Sequence, residues 1–215
     1  MSVNSSTDIG NLALDLLSAG TVSDIENPSN STEDILNRWY DQVRRKCLRE
    51  HPWNFATTRK ILSASATAPA FGYAKAFPLP SDFLRLLYVS TDVATDRETI
   101  LPTSAYQMES NNILITNTYG DSTSLKIVYI KDVTTVSDMD PLFIEYLAHD
   151  LAISVAYKVT ESNTNVQRIA ELARMKKDMA RAIDGQERPP TRVERSRGIN
   201  ARRRNSQRDA HRIIF

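Results

Sequence analysis

Residues 31–55 read STEDILNRWYDQVRRKCLREHPWNF, and the reading of this stretch decides the fold. Ile35, Leu36, Trp39, Tyr40, Val43, Cys47 and Leu48 recur at helical spacing, so one side of a single long helix carries the apolar bulk while the other is charged. Asn30 or Ser31 is placed to accept from the first free amides, with Glu33 or Asp34 as the returning half of a capping box. Both acids also lie where the helix dipole favours negative charge. Arg44, Arg45, Lys46 and Arg49 sit towards the other end, near the last carbonyls, and Pro52 drives His51 out of the α region. The helix therefore stops sharply. About 20 residues at about 1.5 Å each make a rod of about 30 Å, which needs an extended surface against which to bury its stripe. Trp53 and Phe55 follow at once, two rings on either side of Asn54, and are read as a packing anchor where the helix hands over to the next element.

Before this helix, Asp8 to Ser18 forms a short one: Ile9, Leu12, Ala13, Leu16 and Leu17 follow a Thr7 or Asp8 cap, and Gly20 offers a left-handed terminator. Residues 21–30 make a loop with Val22 and Ile25 turned inward. After Phe55 the pattern changes. Residues 56–66, 71–77, 83–91, 99–106, 113–116 and 125–131 are short runs rich in β-branched and aromatic residues, separated by Pro, Gly, Asn and Asp, and predict a small antiparallel sheet. Leu125, Ile127 and Tyr129 alternate with Lys126, Val128 and Ile130, which predicts a strand buried on one face and partly on the other. Phe77-Pro78-Leu79-Pro80 is expected to be an extended lead-in to Asp82–Leu87.

Helix returns at Asp140, a cap followed by Pro141 at the first helical position, with Leu142, Phe143, Tyr146, Leu147, Leu151, Ala152, Val155 and Ala156 as the apolar face. A fourth helix is expected over 165–183, with Val166, Ile169, Ala170, Leu172, Ala173, Met175 or Lys176, Met179 and Ile183 inward and Gly185 as its end. The fold class that follows is α+β. Residues 1–55 and 138–184 make a four-helix bundle, 56–137 an inserted, mainly antiparallel β domain, and 185–215 an extended, arginine-rich C-terminal arm.

The chain has 215 residues, 41% of them hydrophobic, and a formal net charge of +1 that is unevenly spread. From Gly185 onward nine arginines face only Glu187, Glu194 and Asp209. Cys47 is the only cysteine, which excludes an intrachain disulfide, and its apolar-side position fits a buried thiol in a reducing compartment. The first residues lack the basic and apolar segments of a signal peptide, and no apolar run is long enough to span a membrane.

A search for catalytic chemistry ends without a site, so the expectation is a protein that is not an enzyme and binds no cofactor or metal. His51, His149 and His211 lie in three different contexts, and with one cysteine no zinc-ligand spacing occurs. His149 and Asp150 are neighbours on a helix and point in different directions, so they make no base and orienter. Asp138 and Asp140 resemble half of a cation loop, but Pro141 favours a helix cap. There is no glycine-rich phosphate loop and no G-x-S-x-G turn.

The arm is what calls for a function. Its candidate partner-binding residues are Arg192, Arg195, Arg197, Arg202, Arg203, Arg204, Arg208, Arg212, Ile213, Ile214 and Phe215. One reading is phosphate binding without sequence specificity. The other has the apolar tip Ile213-Ile214-Phe215 filling a groove on a partner while arginines pair with its acidic rim. Fully extended, the arm reaches about 100 Å.

NLALDLLSAGTVSDIENPS at 11–29, ILNRWYDQVRRKCLREHPWNFATTRK at 35–60 and FGYAKAFPLPSDFLRLLYV at 71–89 resemble the tail tubular protein A, or head-to-tail adaptor, family of short-tailed bacteriophages. HPWNFA and LPSDFLRL are the specific part of the likeness. The resemblance implies a helical bundle with an inserted β region, assembled as a twelvefold ring, a dodecamer, between the portal protein and the tail nozzle, tail tubular protein B. It implies an arm that contacts the portal, a β region facing the nozzle or the neighbouring subunit, and DNA passing along the axis. It places the protein in the virion, at the junction of head and tail, after assembly in the host cytoplasm. The competing expectation is a non-specific nucleic-acid-binding protein acting through the basic arm.

Overall fold

The structure, a computed structural model, describes residues 3–91, 99–119, 123–160 and 166–187. Helix α1 spans Ser6–Leu16. Its cap is Ser5 rather than Thr7 or Asp8: Ser5 Oγ accepts from Asp8 N at 3.1 Å, and Asp8 Oδ2 accepts from Ser5 N at 3.0 Å, a reciprocal capping box. At the far end Ser18, not Gly20, takes the left-handed conformation, with φ of 55°. Ser18 N donates to Asp15 O and Ala19 N to Leu14 O, both at 3.0 Å, the two closing bonds of a Schellman turn. The turn falls directly after Leu17, which is buried.

Helix α2 spans Ser31–Glu50 and ends at an extended His51, as Pro52 requires. Asn30 caps it, Oδ1 accepting from Glu33 N at 2.9 Å. Glu33 does not close a box on Asn30. It turns back further, and its carboxylate accepts from both the N–H and the hydroxyl of Ser29 and of Ser23. Leu36, Tyr40, Val43, Cys47 and Leu48 are buried as expected, but Trp39 lies on the flank of the stripe and is 40% exposed. Arg44 is buried in its stead because its guanidinium meets Asp132 and the carbonyl of Val133.

Helix α3, Pro141–Thr160, starts on Asp140, whose Oδ1 accepts from Leu142 N at 2.8 Å and Phe143 N at 3.2 Å. It packs on both α1 and α2, so it is apolar on more sides than the sequence pattern implied: Ile144, Ala148 and His149 are buried alongside the expected face. Helix α4 spans Val166–Gln186 and continues through Gly185. Its inward residues are Ile169, Ala173, Ala180 and Asp184, while Met175 and Met179, expected to face inward, are exposed.

Between α2 and α3 the described residues form seven strands in two small antiparallel sheets, where one sheet was expected. The first has the order β1 (Thr57–Ser63), β7 (Ser124–Lys131), β3 (Phe83–Thr91), β4 (Thr99–Ile100). The second runs β2 (Lys75–Pro78), β6 (Asn112–Ile115), β5 (Tyr106–Glu109). The run expected over 99–106 is broken at Pro102, which cannot donate to a ladder, and the chain passes through a single 3-10 turn, Thr103–Ala105, into the second sheet. β5 and β6 form a hairpin on Ser110 and Asn111, both with positive φ (47° and 61°), the conformation a two-residue turn of matching twist needs. Phe71 is 87% exposed and lies outside any strand, because Gly72 at φ 80° turns the chain before β2 starts. Phe77 and Pro78, expected in an extended lead-in, are the end of β2, an edge strand that tolerates proline. β7 is the paired centre of its sheet, buried on both faces from Ile127 to Ile130.

Two hydrophobic clusters result. One gathers residues of all four helices together with Trp53, Ala56, Leu84 and Ile130. The other belongs to the strands and the loops between them, with Leu62, Phe77, Val89, Ile113, Ile115, Leu125 and Ile127 among its members. The structure is thus mixed α and β, with four helices and two antiparallel sheets.

Candidate functional site

The segment HPWN, just past α2, is held against the end of α4. His51 Nε2 meets Asp184 Oδ2 at 3.0 Å, Asn54 N donates to Asp184 Oδ1 at 2.7 Å, and Asn54 Nδ2 donates to the carbonyl of Asp184 at 2.7 Å. Between them Trp53 is 1% exposed. Its indole Nε1 donates to Cys47 O at 3.0 Å, and its ring lies edge-on to His51 and Phe143 and stacks with Phe55. The anchoring role expected of Trp53 and Phe55 is what the packing shows. The joint with Asp184 was missed. Its signal was an acid four residues after Ala180, on the apolar stripe of α4.

LPSDFLRL is spent on a second joint. Arg85 donates from Nη1 to Arg49 O at 2.9 Å, supplying one of the carbonyls at the end of α2 with a partner. Asp82 accepts from the Tyr129 hydroxyl at 3.0 Å, and its carbonyl accepts from Asp132 N at 2.7 Å. The polar residues of both segments therefore tie elements of one chain together.

Other chemistry-bearing residues are likewise occupied. Lys46 Nζ lies 2.8 Å from Asp150 Oδ2, and Cys47 Sγ is 3.7 Å from the same oxygen. Burial, with the Asp150 charge adding to it, pushes the Cys47 thiol well above its ordinary range, so it is no thiolate nucleophile. Tyr146 donates to Glu50 Oε2 at 2.7 Å and is raised too, chiefly by burial. His149 donates from Nδ1 to Glu145 O at 2.7 Å while Asp150 faces Lys46, so these neighbours do point apart. Among the described residues no group of three or more His, Cys, Asp or Glu is placed to hold a metal ion, and no helix is long and apolar enough to cross a membrane. His211 lies outside the described residues.

A groove of about 230 Å³ on the first sheet is lined by Arg59, Lys60, Ile61 and Lys126. Arg59 and Lys60 belong to the edge strand β1, where exposed charge discourages strand addition.

Every candidate arm residue, from Arg192 to Phe215, lies outside the described residues. What is described is the helix leading there, fixed at Asp184 by His51 and Asn54. No known family model matches the chain, and no curated protein does.

Proposed function

We propose that this chain is a head-to-tail adaptor of a short-tailed bacteriophage, a virion structural protein that works by geometry and carries out no catalysis. In this reading residues 1–55 and 138–184 act as a four-helix bundle, 56–137 as an inserted β domain and 185–215 as the arm. Copies close into a ring, a dodecamer, between portal and nozzle, with DNA passing through the centre during ejection. Flanks that are complementary and related by a closing rotation make a ring instead of a filament. The arm docks on the portal, its tip Ile213-Ile214-Phe215 entering a groove and its arginines meeting the acidic rim.

One observation carries the proposal. HPWNFA, a segment on which the likeness to the adaptor family rests, holds Asp184 two residues before the end of α4, so the folded frame fixes the helix from which the arm departs. A frame of this kind suits a protein whose business is to present a tail to a partner. The nine arginines favour a second reading, a non-specific nucleic-acid binder.

Particle mass separates the two. The purified chain mixed with the portal ring of its phage is expected to give a discrete ring complex. A DNA mobility shift that falls by orders of magnitude between low and physiological salt, with no ring complex formed, favours the second reading and overturns the first.

A further inference from the structure

Helix α4 carries two apolar stripes. Ile169, Ala173 and Ala180 make the buried one, with Asp184 in line. Leu172, Met175, Met179 and Ala182, spaced three and four apart, run down the helix as a second line and belong to neither hydrophobic cluster. Glu171 and Asp178, one position before Leu172 and Met179, border this second stripe on the side away from the buried one. On its near side Lys176 is held by Glu145 at 2.6 Å.

The outer face of the first sheet is the counterpart. Ile61, Lys126, Ser90 and Ile100 are direct partners across β1, β7, β3 and β4, so their side chains share one face. The opposite face carries Leu62, Leu125, Ile127 and Val89 into the strand cluster. Ile61 and Ile100 belong to neither cluster, and the helical cluster reaches this face only further along, at Ile130. Arg59, two residues before Ile61 on the same strand, and Lys126, directly across from Ile61, make the face basic.

The two faces complement each other. Met175, Met179, Ile61 and Ile100 are each more than half exposed, and apolar side chains grouped on a surface and rimmed by charge mark a contact. The rims have opposite sign, and among the described residues Arg59, Glu171 and Asp178 have no ion-pair partner. Their extents agree: the stripe from Leu172 to Ala182 is about 15 Å long at about 1.5 Å per residue, and the row from Ile61 to Ile100 is about 14 Å wide, three strand spacings of about 4.8 Å. We propose that the second stripe of α4 lies on the outer face of the first sheet of a neighbouring copy of this chain, with Glu171 and Asp178 meeting Arg59 and Lys126. The groove of about 230 Å³ between residues 59–61 and 126–128, beside Ser90, takes a methionine side chain, which is unbranched and adapts to the surface it meets. Because the faces lie on different elements of the chain, the contact is heterologous, and repeated by a closing rotation it makes a ring. The inference deepens the adaptor reading and rests on it for that closure.

The test links full-length chains through single surface thiols. An Ile61→Cys chain is mixed with a Met175→Cys or Met179→Cys chain and treated with a short bis-maleimide, and linked pairs are identified by mass. Cys47 is buried and does not compete. With at least one of the two methionine positions, the mixed pair should form about tenfold faster than a pair of either chain with itself, because only the mixture brings a thiol on each face into contact. Arg59→Glu in the first chain, or Glu171→Arg in the second, should slow it about fivefold, and the two together should restore it. All these positions are exposed, so the fold is kept. Equal rates for mixed and like pairs, fastest linkage between two α4 thiols, or no recovery when both charges are exchanged would overturn the contact. Rapid mixed linkage in a chain that forms no complex with the portal ring would uphold the contact and overturn the adaptor reading instead.

Discussion

The two hydrophobic clusters are held in register by different means. Around the helical cluster the joints are side-chain bonds: Asp184 with His51 and Asn54, Arg44 with Asp132, Asn11 bracketing the N–H and carbonyl of Val22, and Asn37 donating to Ile25 O at 2.6 Å. Within the strand cluster the ladders do that work, and side-chain bonds such as Tyr129 to Asp82 and Tyr73 to Gln107 are additions. The reason is elementary. A strand satisfies its backbone only by pairing with a neighbour, which fixes where that neighbour lies, whereas a helix satisfies its own backbone and leaves its position to packing and side chains. The helical half thus depends on a few polar residues, most of them on or next to α2.

The largest difference should appear when each cluster loses a fully buried ring. Trp53→Ala removes an indole packed among His51, Phe55 and Phe143 together with its bond to Cys47 O, and should cost about 4 kcal/mol in urea unfolding. Phe77→Ala, which removes packing alone, should cost about 3 kcal/mol. A reversed order would break the comparison.

Next comes the joint itself. Asp184→Ala deletes the carboxylate that meets His51 Nε2 and accepts from Asn54 N, and should cost about 2 kcal/mol, with faster amide exchange confined to 51–56 and the last turns of α4. Uniform protection across that region would show that packing holds it without the aspartate.

A smaller, pH-dependent effect is expected at the start of α2. The N–H and hydroxyl of Ser29, with the N–H of Ser23, hold the Glu33 carboxyl down at about 2, against about 4.3 in an unfolded chain. A depressed carboxylate contributes stability that is complete above the unfolded value and is lost as pH falls through the folded one, so the loss should develop between about pH 4.5 and pH 2. Thermal midpoints of Glu33→Gln across that range should fall less steeply than those of the parent chain. Parallel curves would remove Glu33 from the account.

Smallest is Ser18→Gly. Ser18 holds a left-handed conformation that costs a side-chain-bearing residue about 1 kcal/mol, and glycine should recover about half of it by urea titration.

What was legible in the sequence follows the same division. Helix α2, its sharp stop before Pro52, and the Asp140-Pro141 start of α3 were readable because each is a local conflict or match between a side chain and its own backbone. The hairpin on Ser110 and Asn111 was missed because it lacks the glycine that usually announces such a turn. Exposure of Trp39, Met175 and Met179, and burial of Arg44, depend on what lies opposite, which periodicity along one helix cannot tell. The joint at Asp184 joins residues 130 or more positions apart and left only an acid on an apolar stripe as its trace.

The central claim is that a self-sufficient frame presents a separate arm to the portal. Its most direct test is sedimentation of a chain ending at Glu187 mixed with the portal ring. The account predicts that the shortened chain sediments as a folded species apart from the ring, while the full chain travels with it. Co-sedimentation of the shortened chain at full-length yield would contradict the account.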